Sequence, residues 1–262
     1  MRTGTTEGGL DLAGTWVVDL DGVVWLAGDP IDGVADAIAT LRDHGVGVVF
    51  ATNNSAPTID ELLARMQRAH ITAEPSDLVT SAQAAASLLT RGDSVLALAE
   101  GGAREALLER GVNLVDKGPA DAVVVGWTHD FTFERLSEGA SAVRDGARLI
   151  GTNDDPTHPT PEGLLPGAGA LLSAVVTAAG CEAEVAGKPN RPMAELIRRH
   201  HGDVRAVIGD RPSTDGLFAR LLGAPFALVL SGVTSSPDGV DPRPDVVAPD
   251  LKTLVERVAA QR

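Results

Sequence analysis

The chain has 262 residues, 44% of them hydrophobic but only 3% aromatic and with no tyrosine, so its core must be packed from Val, Leu, Ile and Ala rather than from rings. A formal net charge of −14 argues against nucleic acid or an anionic membrane as a partner, because either requires a basic face. The single cysteine, Cys181, excludes an internal disulfide and a cysteine-built zinc cluster, and no apolar run approaches the roughly 18 residues that span a bilayer.

Residues 1–14 are rich in Gly, Thr and Glu, lack the apolar core of a signal peptide and are expected to form a loose tail, which points to the cytoplasm. The next stretch, Trp16-Val17-Val18-Asp19-Leu20-Asp21-Gly22, reads as a buried parallel strand that ends in two carboxylates and a glycine. Extended backbone sends alternate side chains the same way, so Asp19 and Asp21 face one point at the strand's carboxyl end, where open α/β sheets bind ligands. Crowded carboxylates repel unless they share a cation or a proton. The plain reading is an acidic turn; the chemical reading is a nucleophile and metal ligand next to a general acid/base.

The connection at 26–31 carries Gly and Pro, and 32–44 fits an amphipathic helix with Asp32 as its N-cap and Gly45 just past its end. A second apolar strand at 46–51 is closed by Thr52-Asn53-Asn54-Ser55. Four polar side chains there form either a satisfied turn that caps a helix beginning near Thr58, or neutral donors for a phosphoryl group. From Ser81 the pattern becomes helix 82–90, strand 94–99, helix 103–110, strand 122–126, helix 132–144, strand 148–152, loop 153–167, helix 168–179 and a strand near Glu184. This is about a hundred residues of βα alternation, enough for a domain of its own. Gly187-Lys188-Pro189 opens a helix to about His201, and an apolar strand at 203–208 ends in Gly209-Asp210-Arg211-Pro212-Ser213-Thr214-Asp215. A helix at 214–222, a strand at 227–230 and a helix at 250–260 complete the chain.

Strand ends thus supply Asp19, Asp21, Asp210 and Asp215, with Lys188 and Thr52 as further polar candidates. Oxygen ligands without His or Cys favour Mg²⁺ over zinc, and a divalent ion with a lysine reverses the local sign for a phosphorylated substrate. The order of these motifs resembles the haloacid dehalogenase superfamily: Asp19-Leu20-Asp21-Gly22-Val23, then Thr52, then Lys188, then Gly209-Asp210 with Thr214-Asp215. Thr52-Asn53-Asn54-Ser55, Val123-Val124-Val125-Gly126, Thr152-Asn153 and Gly163-Leu164-Leu165-Pro166-Gly167-Ala168-Gly169 are similar to the subfamily with a large α/β cap. Its members include p-nitrophenyl phosphatases, phosphoglycolate phosphatases and pyridoxal phosphate phosphatases.

The resemblance implies an α/β fold: a Rossmann-like parallel-sheet core at 1–82 and 186–262, with a cap domain inserted at 83–185. It implies that Asp19 attacks phosphorus to form an aspartyl phosphate, while Asp21 protonates the leaving oxygen and then deprotonates water. Mg²⁺ would be held by Asp19, the Asp21 carbonyl and Asp210, with Asp215 behind them or reaching through water. Thr52, Asn53, Asn54 and Lys188 would hold the phosphoryl oxygens of a small phosphorylated metabolite. A carboxylate at 21 separates phosphatases from the dehalogenating relatives, and relatives pair through the cap. The same nucleophile also serves phosphotransferases and mutases, and a non-catalytic binder of phosphorylated metabolites is the reading from another class.

The chain departs from the pattern at Pro212-Ser213, which leaves Asp210 and Asp215 in place, and at Asp154, where relatives carry proline. Asp154, Asp155 and His158 are candidates for the cap's lining, and His129 is a second loop histidine. Gly167-Ala168-Gly169 lacks the P-loop lysine and the dinucleotide spacing, so it is read as a helix start. His44, His70, His200 and His201 lie near helix ends; Trp25 and Trp127 flank loops; Cys181 is read as a small buried hydrophobe.

Overall fold

The computed structural model describes residues 9–160 and 163–261; the expected tail at 1–8 lies outside the described residues. Residues 9–14 depart from that expectation. Leu10 and Leu12 are buried, and the Trp16 indole donates to the Asp11 carbonyl at 3.2 Å, so two leucines anchor a segment whose other residues read as loose.

The chain begins with β1 (Thr15–Val18), a short hairpin of β2 (Trp25–Leu26) and β3 (Asp29–Pro30), α1 (Val34–Asp43), β4 (Gly47–Thr52), α2 (Ile59–Arg68) and β5 (Leu78–Thr80). It continues through α3 (Ser81–Ser87), β6 (Ser94–Leu98), α4 (Gly101–Arg110), β7 (Asn113–Val115), β8 (Ala122–Val125), α5 (Phe133–Arg144) and β9 (Arg148–Gly151). A second hairpin, β10 (Thr157–Thr160) and β11 (Gly163–Pro166), precedes α6 (Ala168–Ala179) and β12 (Glu184–Val185). The last elements are α7 (Arg191–His201), β13 (Val204–Gly209), α8 (Leu217–Leu222), β14 (Phe226–Val229), β15 (Val246–Ala248) and α9 (Leu251–Ala259).

Two compact units result. The first comprises the described parts of Met1–Ala51, Leu63–Val79 and Ile197–Arg262. Its sheet runs β15-β14-β13-β1-β4-β5, with β1 paired in parallel to β13 and β4. Near-continuous Val and Ile runs suit strands covered on both faces. Four of the few aromatic rings are fully buried here: Trp16, Phe50, Phe218 and Phe226. Helix α1 buries Val34, Ala37, Ile38 and Leu41, and α9 buries Leu251, Leu254, Val255 and Val258, the same i, i+3, i+4, i+7 stripe that lets the two pack together.

The second unit, Thr52–Leu62 and Thr80–Leu196, has its own parallel sheet in the order β12-β9-β8-β6-β7. Its core is aliphatic, with Leu96, Leu98, Val123, Val125, Leu149, Leu172 and Val175 packed together. Cys181, read as a small buried hydrophobe, packs against that cluster but is only half-buried. The fold is therefore α/β with parallel sheets, and among the described residues no helix is long and apolar enough to cross a membrane.

Local differences have local causes. Asp32 does not cap α1; the cap position is Gly33, without a side-chain bond, because a turn from Ile31 to Val34 starts the helix later. Strands β5, β7 and β15 have three residues each, too short to show a period. The stretches at 26–31 and 153–167 hold hairpins where Gly and Pro suggested irregular loops; a two-stranded ribbon has free edges, which tolerate the prolines. Other helices do carry side-chain caps, none of them singled out in the sequence: Thr58 and Glu61 bond reciprocally to each other's backbone N–H at the start of α2, and Thr132 and Asp250 cap α5 and α9.

With so few rings, each carries much of the first unit's packing. Phe226→Ala is expected to cost about 3–5 kcal/mol of stability, measured as the shift in urea unfolding of the whole chain.

Candidate active site

Register determines which side chains leave the first sheet together. Val18 lies opposite Ile208, and the Asp19 N–H donates to the Ile208 carbonyl at 2.9 Å. The residues after β1 and β13 therefore emerge at one carboxyl edge, delivering Asp19 and Asp210. Asp215 arrives differently. The backbone from Pro212 to Gly216 winds as one π-helical turn before α8, rather than as the α-helix expected from 214, and the Arg211 N–H donates to Asp215 Oδ2 at 3.1 Å.

Asp19, Asp210 and Asp215 each offer an oxygen within 4.8 Å of the others. They are 8%, 3% and 1% exposed. Three carboxylates this close and this buried repel strongly unless a cation balances them, and a set of hard oxygens suits Mg²⁺. The surroundings are shaped to this cluster. Asp210 Oδ2 accepts the Val233 N–H at 2.5 Å, and Ser231 Oγ donates to the Gly22 carbonyl at 2.7 Å. Gly22, at φ 88°, leaves no room for a Cβ, which would meet the Asp210 carboxylate and come within 2.9 Å of the Gly232 Cα. A Cβ on Gly232 would likewise overlap the Asp210 carboxyl group, with its Cγ at 2.5 Å.

Asp21 stands apart from this cluster. Its half-buried carboxylate accepts the Trp25 indole N–H on Oδ1 at 3.0 Å. Alternation predicts that both carboxylates face one point, but β1 ends at Val18 and the extended pattern does not reach them: Asp19 enters the acidic cluster while Asp21 is held by Trp25.

The other predicted site residues belong to the second unit. Thr52 is buried, and its Oγ1 accepts the Asn54 N–H at 3.0 Å. Asn53 joins distant segments: its Nδ2 donates to the Lys188 carbonyl and to Asp155 Oδ2, both at 3.0 Å, and its Oδ1 accepts the Lys188 N–H at 2.8 Å. Its carbonyl accepts Ser81 Oγ at 2.7 Å and Asn153 Nδ2 at 2.6 Å. The Asn54 side chain closes its own turn on Ala56 N–H, and Ser55 Oγ accepts the Thr152 hydroxyl and the Trp127 N–H. This run is therefore chiefly a polar lock that brings Lys188 and the 152–155 segment to Thr52 and Asn53. Lys188 itself is buried. Asp154 is exposed, and His129 and His158 meet the Trp127 ring at centroid distances of 4.3 and 4.9 Å.

Sequence reasoning missed the Trp25 bond to Asp21, although a tryptophan four residues after the carboxylate was a signal. It also missed Gly232 and Val233, marked only by Ser-Gly after an apolar strand, and, although Thr152-Asn153 was named as a motif, the bond of the Asn153 amide to the Asn53 carbonyl.

A family model described as haloacid dehalogenase-like hydrolase matches residues 16–113, and a HAD-hydrolase-like model matches 185–254. The chain is 35% identical to an acid sugar phosphatase of Staphylococcus haemolyticus over 227 residues, covering 84% of this chain and 86% of the relative. It is 39% identical to a D-glycerol 3-phosphate phosphatase of Mycobacterium tuberculosis over 254 residues, covering 91% of this chain and 70% of that protein. Among solved structures, the magnesium complex of a glycerol phosphate phosphatase from Mycobacterium tuberculosis superposes with a TM-score of 0.84 at 36% identity, over 92% of this chain and 75% of that one. A p-nitrophenyl phosphatase from Archaeoglobus fulgidus gives 0.85 at 28% identity, over 92% and 98%.

Because a methyl group at 232 intrudes on Asp210, Gly232→Ala is expected to weaken Mg²⁺ binding about 10–100-fold while the far-UV spectrum stays unchanged, as read by calorimetric titration with Mg²⁺. Unaltered affinity would detach Gly232 from the metal site.

Proposed function

The chain belongs to the haloacid dehalogenase-like hydrolases and is a magnesium-dependent phosphomonoester hydrolase; we propose that it takes the phosphoryl group of a small sugar or polyol phosphate onto Asp19. The observation that carries this reading is the convergence of Asp19, Asp210 and Asp215, with Asp21, two residues after Asp19, outside that cluster on its own hydrogen bond. The substrate class follows the relatives, named for acid sugar phosphates and D-glycerol 3-phosphate.

The residues fit the ion: Asp19, Asp210, Asp215 and the Asp21 carbonyl would hold it. When bound, Mg²⁺ neutralises charge where an anionic nucleophile meets an anionic phosphoryl group. An Asp19 oxygen bonds to phosphorus as the bond from phosphorus to the ester oxygen breaks. Asp21 gives its proton to that oxygen and releases the alcohol. Water then attacks phosphorus, Asp21 takes the water's proton, and the bond to Asp19 breaks to release phosphate.

Thr52, the Asn53 backbone N–H, Asn54 and Lys188 are assigned to the phosphoryl oxygens. The Asn53 side chain is engaged in holding Lys188, which supports an orienting role for that amide. The Asn54 N–H donates to Thr52 Oγ1 and its Oδ1 accepts the Ala56 N–H, so the side-chain Nδ2 is the Asn54 donor assigned to a phosphoryl oxygen. Residues 83–185 are assigned as the cap between core segments 1–82 and 186–262, with the exposed Leu164 and Leu165 of β11 as a face for pairing of two caps. A lone cysteine and an acidic surface support a cytoplasmic protein.

Asp19→Asn is expected to abolish turnover of p-nitrophenyl phosphate, and full activity in that variant would remove the nucleophile. Asp21→Asn is expected to lower kcat about 10²–10⁴-fold. EDTA is expected to stop the reaction and Mg²⁺ to restore it, while a panel of sugar and polyol phosphates ranks the substrates by kcat/KM.

A further inference from the structure

The bond between Trp25 and Asp21 joins two residues of one tight loop. The Gly22 N–H donates to the Trp25 carbonyl at 2.7 Å, and the Trp25 N–H donates to the Leu20 carbonyl at 3.1 Å. Trp25 then pairs with Pro30 across the β2–β3 hairpin, and its side chain is 2% exposed. The ring is thus fixed by backbone on both sides and by packing around it. Its side chain has one polar function, the Nε1–H, which donates and never accepts.

We propose that Trp25 is a positioning residue for Asp21, selecting which carboxyl oxygen carries the proton. The proposal rests on the reading of Asp21 as the general acid/base. An unrestrained carboxyl group bears its proton on either oxygen and turns about its terminal torsion, so many of its arrangements point the proton away from the ester oxygen. Here Oδ1 accepts the indole N–H at 3.0 Å. A protonated Oδ1 is a poor acceptor, so the bond keeps the proton on Oδ2 and fixes the carboxyl plane. In the first step the Oδ2–H proton passes to the ester oxygen as its bond to phosphorus breaks, and Asp21 becomes a carboxylate. In the second, Oδ2 receives the proton of the attacking water. The indole N–H donates to Oδ1 whether or not Oδ2 carries the proton, so one bond orients the carboxyl group in both steps.

A residue that only supports the loop slows all substrates alike. One that aims a general acid matters most where the leaving group needs a proton. The test compares kcat/KM for p-nitrophenyl phosphate, a good leaving group, with phenyl phosphate, a poorer one, at saturating Mg²⁺. Three proteins are set against the unmodified one: Trp25→Phe, the chain with benzothienylalanine at position 25, and Asp21→Asn. Benzothienylalanine keeps the bicyclic volume and replaces the N–H with sulfur, so a folding defect in Trp25→Phe leaves the question answerable.

The ratio of p-nitrophenyl to phenyl phosphate is expected to rise about tenfold when the N–H is lost, the scale of one hydrogen bond to a charged group. In Asp21→Asn it is expected to rise further. An unchanged ratio in the benzothienylalanine protein, with a raised ratio in Asp21→Asn, overturns the role of Trp25 and leaves Asp21 in place. An unchanged ratio in Asp21→Asn overturns the general-acid assignment, and the role of Trp25 with it.

Discussion

Three buried carboxylates within reach of one another are the constraint around which the first unit is built. Asp19, Asp210 and Asp215 lie where their mutual repulsion and loss of hydration work against folding, and they remain together because the backbone leaves them little freedom. Parallel pairing of β1 with β13 sends two of them off one sheet edge. A π-helical turn folds the third back, with one of its oxygens on the Arg211 N–H. Gly22 and Gly232 supply the empty volume that lets Asp210 approach. Each device fixes the geometry of the carboxylates through the backbone, as electrostatic preorganisation requires.

The pair at 19 and 21 illustrates how a tight loop after a strand separates two carboxylates that strand periodicity alone would place together. Neighbouring carboxylates on one strand end would share an environment and behave alike. Here one enters an acidic cluster and the other accepts a hydrogen bond from a buried indole. The contrast in partners sets one group among other carboxylates and the other against a neutral donor. The loop from Leu20 to Trp25 closes tightly because its backbone groups pair within it.

The second unit solves a different problem, that of burying a lysine. Asn53 holds the Lys188 backbone at both its N–H and its carbonyl, while its own carbonyl gathers Ser81 and Asn153. Polar side chains at a strand end are costly when unpaired, and here they pair with one another across segments far apart in sequence. That network explains why a Thr-Asn-Asn-Ser run lies where a simple turn would suffice. The same amides that suggest phosphate donors are largely occupied in holding the segments that carry other candidates.

The sequence by itself determined the alternation of apolar strands and amphipathic helices, and with it the parallel α/β class, because burial on both strand faces and on one helix stripe is written in the periodicity. It also determined the acidic strand ends: Asp19, Asp21 and Asp210 followed apolar runs that could end in few other ways. Short strands such as Leu78–Thr80 and Val246–Ala248 were hidden, since three residues show no period and acquire their identity from a neighbour's free edge. Only the tertiary structure decided which oxygen of Asp21 meets Trp25, that Asp215 turns back to join Asp210, and that the Val233 N–H reaches Asp210 from a loop 23 residues away. Hydrogen-bond partners depend on distances of a few tenths of an ångström between segments that the chain brings together only on folding, and no local pattern of residues records them.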